Sequence, residues 1–351
     1  MTRACSRRYT VGRGYPSAAE MSFALAPPRS AMISRIERVF STVTTPDSLG
    51  SGRGRRLVGA ESSDERIKEI AKAQSNRVKS LGADGLIIYD LQDETSRTAQ
   101  KRPFPFTPTL DAWSFASEYI DTADITKIVY CSVGKRNTAE LHNIMSSVQS
   151  TDSLVLVGLP SRNEKTVLNL NDAYKLWNQV RPIGILGGVA IAERHTSDST
   201  EHLRLLKKVS AGCSYFITQC VYNIDLIKKL VTDLCMECDA KGAKVPFLIF
   251  TLTPCGSART LQFLHWLGIN VPDHLATELH QSGDMLEKSV TICAEIAMDI
   301  AGFCHQRNVP FGFNIESVSA RKLEIEASEQ LFKKIKSWQT SFLAGSKHPS
   351  K

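Results

Sequence analysis

Residues Leu205–Asn223, LLKKVSAGCSYFITQCVYN, decide how the rest of the chain is read. Leu205, Leu206 and Val209 share one apolar helical face, and Lys207 with Lys208 put cations in a last turn, where they complement the helix dipole. Ala211-Gly212 stops that helix, because glycine enters the left-handed conformation without steric cost. Tyr215-Phe216-Ile217 is a β-prone apolar run and reads as a buried strand. It ends in Thr218-Gln219. A glutamine there is a poor core residue and a good site residue.

The same step repeats on both sides. Short apolar runs at 57–60, 85–89, 127–132, 153–158, 182–187, 215–219, 246–251 and 310–315 read as strands. Between them, segments of helical period fall at 64–81, 110–120, 138–149, 170–180, 199–211, 223–241 and 257–267. Helices at 274–280 and 284–306 follow, with one at 320–343 after the last strand. Eight strand–helix steps in roughly 290 residues are the pattern of a (β/α)8 TIM barrel. An open doubly wound sheet would call for a glycine-rich first turn, and Glu61-Ser62-Ser63 is not one.

In such a barrel the working residues stand at the C-terminal strand ends. Here those positions give Glu61, Tyr89 with Asp90, Cys131 with Ser132, and Gly158. They continue with Gly187-Gly188 leading to Glu193, Gln219, Thr251 with Thr253, and Asn314 with Glu316. The set holds carboxylates, hydroxyls and amides but no His or Cys cluster. It suits acid catalysis on a heteroatom-rich small molecule better than metal chemistry.

Composition fits an α/β protein with a large core. The chain has 351 residues, 42% hydrophobic and 23% charged, with net charge +7. Much of that charge sits at the ends, where residues 1–31 carry Arg3, Arg7, Arg8, Arg13 and Arg29 against Glu20 alone. The balanced middle argues against a nucleic-acid partner. No apolar run reaches the roughly 18 residues of a membrane helix. Nine scattered cysteines suit reduced thiols inside a cell. Cys235 and Cys238 lie within one helical segment and read as structural, and His195 and His202 as solvated helix-end residues. The acid-poor start resembles a mitochondrial transit peptide, so a cytoplasmic or a mitochondrial location is expected. The expected organisation is an N-terminal extension and linker over 1–50, one barrel over 51–343 and a short tail over 344–351. A homo-oligomer is compatible with it.

The block KKVSAGCSYFITQ resembles the K-V-D-A-G-A-x-F-x-I-T-Q signature of the methylenetetrahydrofolate reductase family. Other blocks agree in order from about Leu57 to Ala327. They are Pro182-Ile183-Gly184 with Gly187-Gly188, FLHWLGINVP from Phe263 to Pro272, and Asn314 in GFNIES. The resemblance implies a (β/α)8 fold, FAD, and reduction of 5,10-methylenetetrahydrofolate to the 5-methyl form with NAD(P)H. It implies Glu61 as the catalytic acid, with Gln219, Phe263 and Asn314 as contacts to a folate-type substrate. It also implies that Lys208 and Glu201 bind the flavin's phosphate and ribose region.

Several positions depart from the family pattern. Its G-D-L-P loop, whose Asp holds the pterin, stands here as Val157-Gly158-Leu159-Pro160. The family's Tyr and His after the fifth strand fall on Gly188 and Ala192, a His after the third on Tyr130, and its Phe-Phe-Pro-Pro on Ser62-Ser63-Asp64. Asp90 or Asp93 could replace the lost carboxylate. A divergent branch follows, in which NAD(P)H delivers hydride through a flavin or directly. The alternative is a folate- or pterin-binding barrel with lost or altered chemistry.

Overall fold

The computed structural model describes residues 41–44, 63–95, 98–106, 108–121, 125–158, 167–196, 200–319 and 321–345. Seven parallel strands form a curled sheet, a half-barrel: β2 (Gly85–Ile88), β3 (Thr126–Ser132), β4 (Asp152–Val157), β5 (Ile185–Ala190), β6 (Tyr215–Cys220), β7 (Phe247–Leu252) and β8 (Phe311–Glu316). The short β1 (Ser41–Thr44) lies in parallel register with both sheet edges, Thr42 facing Gly85 on one side and Asn314 on the other. β1 falls within the stretch 1–50. The expected first strand, 57–60, and Glu61 lie outside the described residues, as do residues 1–31.

Helices α1 (Asp64–Leu81), α2 (Ala112–Glu118), α3 (Thr138–Ser147), α4 (Leu170–Val180), α5 (Glu201–Ser210) and α6 (Ile224–Lys241) separate the strands. After β7 come α7 (Ala258–Trp266), α8 (Asp273–Gln281) and α9 (Met285–Gln306), and α10 (Lys322–Gly345) follows β8. Their ends carry the expected local chemistry. Ser63, Asn169, Asn223 and Ser257 cap helix N-termini with side-chain oxygens. Gly212, at φ 112°, ends the α5 turn in the conformation glycine tolerates.

Strand period 2 sorts the apolar residues into two cores. Ile87, Ile128, Tyr130, Val155, Ile185, Tyr215, Ile217, Phe247 and Ile249 fill the concave side. Their alternates pack outward with the helices in one large cluster. β5 runs three residues later than expected. Arg181 is in the left-handed conformation at the end of α4, and Pro182 has no N–H to give a ladder, so pairing starts at Ile185. Gly187 and Gly188 therefore sit inside the strand, not at its end.

Gly187 is there because of Tyr215. The Tyr215 hydroxyl donates to Ser153 Oγ (2.5 Å), which donates to the Ile185 carbonyl (2.9 Å), so the ring lies across β5. A Cβ on Gly187 would stand 2.3 Å from Tyr215 Cζ. Gly187→Ala should destabilise the fold by about 1–3 kcal/mol through overpacking, read as a lower urea midpoint with unchanged slope.

Candidate functional site

A cavity of about 1270 Å³ opens where β2–β8 end. Its floor is polar and its partners come from distant strands. Asn314 and Glu316, two apart on β8, project to the same face. The Tyr89 hydroxyl donates to Glu316 Oε2 (2.8 Å), Asn314 Nδ2 donates to the same oxygen (3.3 Å), and the Cys220 thiol donates to Oε1 (3.1 Å). Burial raises the Glu316 carboxyl above the ordinary range, against the lowering effect of those three donors. Burial also pushes Tyr89 and Tyr130 well up, and it pushes up Cys220 together with the neighbouring Glu316 carboxylate. The floor therefore holds neutral donors around one carboxyl.

The end of β6 is irregular. The register against β7 shifts between Ile217 and Cys220, so Thr218, Gln219 and Cys220 all reach the cavity, which strict alternation would forbid. The shift is held by Thr251, whose N–H donates to Thr218 Oγ1 (3.0 Å) and whose hydroxyl donates to the Thr218 carbonyl (2.8 Å). Gln219 Nε2 donates to the Leu267 carbonyl (2.8 Å), which ties the strand end to the turn after α7.

One wall is aromatic. Phe263 stacks on Trp266 with centroids 5.8 Å apart, and Phe104 meets Phe263 edge-on at 5.3 Å. The Arg102 guanidinium lies over both Phe263 and Trp266. Trp266 Nε1 donates to the Gln100 carbonyl (3.0 Å), so the segment after β2 is fastened over α7.

Of the sequence-nominated residues, Gln219, Phe263 and Lys208 line this one cavity. Asn314 is fully buried beneath the floor and orients Glu316 and Thr251. Glu61 lies outside the described residues. Asp90 lines the cavity, but its carboxylate accepts from Lys135 Nζ (2.6 Å) and the Ser132 N–H (2.8 Å), while Asp93 turns to Thr95. Among the described residues, nothing lies within 4 Å of where a side chain at Gly158 would stand.

The two residues expected at a flavin do not form a cradle. Glu201 is 1% exposed and turned into the protein, where it accepts from the Ile191 N–H (3.2 Å) and pairs with Arg204. Lys208 donates to the Val189 carbonyl (2.7 Å), and burial lowers its pKa. A Cβ at Gly188 would stand 2.7 Å from the Phe216 ring. As arranged, this set does not fit a flavin's phosphate and ribose.

Two further carboxyls were legible as strand-end positions but carried no assigned role. Glu316 is one. Glu193, just past β5, lines the same cavity, accepts from the Asn270 N–H (3.3 Å), and is raised by burial. His195 is a correction. It is buried, with Nε2 2.7 Å from Asp233 Oδ2, because the turn after β5 packs it against α6. His202 and Asp233 lie near enough to share a ligand with it, but the Lys229 ammonium, 3.1 Å from Asp233 and 3.2 Å from His195 Nε2, already takes the anionic side.

The curled parallel sheet and a cavity at its C-terminal strand ends define the class, an α/β protein of barrel type with its site where such sheets keep theirs. The family model for methylenetetrahydrofolate reductase matches residues 182–310. An uncharacterized protein from Clostridium thermocellum that binds two copies of 5-methyl-5,6,7,8-tetrahydrofolic acid is 38% identical, over 88% of this chain and 99% of its own, with a TM-score of 0.73. EDTA monooxygenase (EmoA) from Chelativorans sp. BNC1 aligns at 11% identity over 86% of this chain and 94% of its own, with a TM-score of 0.46, too low to carry an argument. No curated relative matches at a significant level. The chain belongs to the methylenetetrahydrofolate reductase family. No helix among the described residues is long and apolar enough to cross a membrane.

Glu316 gives the cavity a pH signature. Its folded pKa lies above the ordinary 4.5, so the folded state binds the proton more tightly than the unfolded chain. Its contribution to stability is full below 4.5 and is lost as pH rises through the folded value. Glu316→Gln should flatten that part of the stability curve, by at most about 1.4 kcal/mol per pH unit, in urea titrations taken from pH 4.5 upward.

Proposed function

We propose that the protein is a reductase of a methylene-bridged tetrahydrofolate, giving the 5-methyl form at the expense of NAD(P)H. The observation that carries this reading is the 38% identity, across nearly the whole of its length, to a protein that binds 5-methyltetrahydrofolate. Gln219 and Phe263, standing in one cavity with a polar floor and an aromatic wall, support it. The eight-strand (β/α)8 barrel, with β1 closing the gap between β2 and β8, completes the scaffold.

The chemistry asks little of the protein beyond a proton and a position. Protonation of the bridging amine at N10 opens the five-membered ring and leaves an iminium carbon on N5. Hydride from the nicotinamide adds to that carbon and gives N5–CH3, NAD(P)+ and the neutral amine. Glu61 is the acid. Gln219 hydrogen-bonds the pterin, and Phe263 packs on its ring so that the iminium face is presented to the nicotinamide. Since Glu201 and Lys208 form no flavin cradle, the hydride passes directly from NAD(P)H bound in the same cavity.

Gly158, standing where the family pattern has an Asp, favours a second reading, a folate-binding barrel without turnover. One experiment separates the two. The full chain should oxidise NADH or NADPH in the presence of methylenetetrahydrofolate under anaerobic conditions, without flavin absorbance in the purified protein. Glu61→Gln should lower kcat at least about 100-fold with folate affinity retained. Saturable folate binding with no oxidation of either nucleotide establishes the second reading instead.

The wall has its own test. Phe263→Ala should weaken 5-methyltetrahydrofolate binding about tenfold, through the lost stacking area, in a fluorescence titration. An unchanged affinity removes Phe263 from the substrate site.

A further inference from the structure

The cavity is polarised along its depth. At the floor stands Glu316, a buried carboxyl held by Tyr89, Asn314 and Cys220. All three are neutral donors, and among the described residues no cation pairs with Glu316. A buried carboxylate without a counter-charge is costly, and the cost falls when a ligand brings donors to it. A carboxylate has about four lone-pair sites. Oε2 accepts from Tyr89 and Asn314 and Oε1 only from the weak thiol donor of Cys220, so one site remains, on Oε1, and the group lines the cavity. Exposed Arg194 and half-buried Arg102 line the same cavity.

A folate matches this polarity. Its pterin head carries a 2-amino group, an N–H donor that the remaining site on Glu316 Oε1 can accept as a charge-assisted hydrogen bond. Its glutamate tail is anionic and suits Arg194 and Arg102. We infer that Glu316 anchors the pterin head of a bound folate, its Oε1 accepting from the 2-amino group, with the ring plane between the Gln219 side and the Phe263–Trp266 wall. This rests on the folate reading above. Glu193 is the competing carboxylate in the cavity. It lies beside exposed Arg194 and accepts from the Asn270 N–H, so it has charge and hydrogen-bond partners already. Glu316 has neutral partners only, and it is set on a strand by three side chains. Tyr89, Asn314 and Cys220 are accordingly positioning residues.

The test is a cycle of two ligands and two proteins, read by tryptophan fluorescence of the full chain, since Trp266 lies in the wall. The ligands are 5-methyltetrahydrofolate and its analogue lacking the 2-amino group. For wild type, loss of the amino group should weaken binding about 10- to 100-fold, the range of a charge-assisted hydrogen bond. Glu316→Gln should weaken the parent ligand by a similar factor and bind the two ligands within about threefold of each other. A merely structural role would lower affinity for both ligands and leave the amino-group preference intact. The inference is overturned if the wild type shows no preference, if the preference survives in Glu316→Gln, or if Glu193→Gln removes it instead. Should Glu316→Gln not fold, Glu316→Asp, which withdraws the carboxylate by one methylene, carries the same cycle. A wild type that binds neither ligand defeats the folate reading itself, whereas binding of both with equal affinity defeats only the anchor.

Discussion

A parallel sheet has both faces covered, and that constraint orders everything else in this chain. Each strand must be apolar almost throughout, inward residues meeting one another and outward residues meeting helices. Ile87, Ile128, Val155, Ile217 and Ile249 satisfy the first demand, and Leu86, Val129, Leu154, Phe216 and Leu248 the second. Polar side chains can then enter only where a strand ends or where a donor is matched inside. The Ser153–Tyr215–Ile185 chain is the matched case. It fills the concave side at that level and leaves the opposite, C-terminal end as the place where Glu316, Gln219 and Glu193 can stand.

Because the outer faces are covered by helices of ordinary amphipathic period, those elements were plain in the sequence. α1 and α4 fall on the expected residues, and the other helices differ by one to two residues at an end. β5 did not, since the left-handed Arg181 and the missing Pro182 donor delay pairing in a run that is apolar from Ile183 onward. Periodicity cannot see a backbone conformation of that kind. The strand β1 was equally hidden, lying in a stretch with no sustained period.

The site was legible as a set of positions but not as a set of directions. Strand-end counting named Tyr89, Gln219, Glu193 and Glu316, all of which line the cavity. It could not tell that Asn314 would sit under the floor, or that the register shift after Ile217 would bring Cys220 to Glu316. Nor could the signature around Lys208 tell that Glu201 turns inward to the Ile191 N–H. In each case residue identity fixes the chemistry available, while a neighbour several strands away in sequence decides where it is spent.

That difference matters most for the carboxyls. Asp90, Glu193 and Glu316 are all near the cavity, and composition makes them equivalent. Their surroundings do not. Asp90 has the Lys135 ammonium at 2.6 Å, so it is satisfied as an anion without any ligand. Glu193 accepts from the Asn270 N–H and has the exposed Arg194 beside it. Glu316 is buried and held by three neutral side-chain donors, which fix its oxygens in place while no cation pairs with it among the described residues. Desolvation favours its protonated form, and an N–H donor from a ligand at Oε1 offsets that cost. A position that is poorly satisfied within the protein is where a ligand has most to contribute.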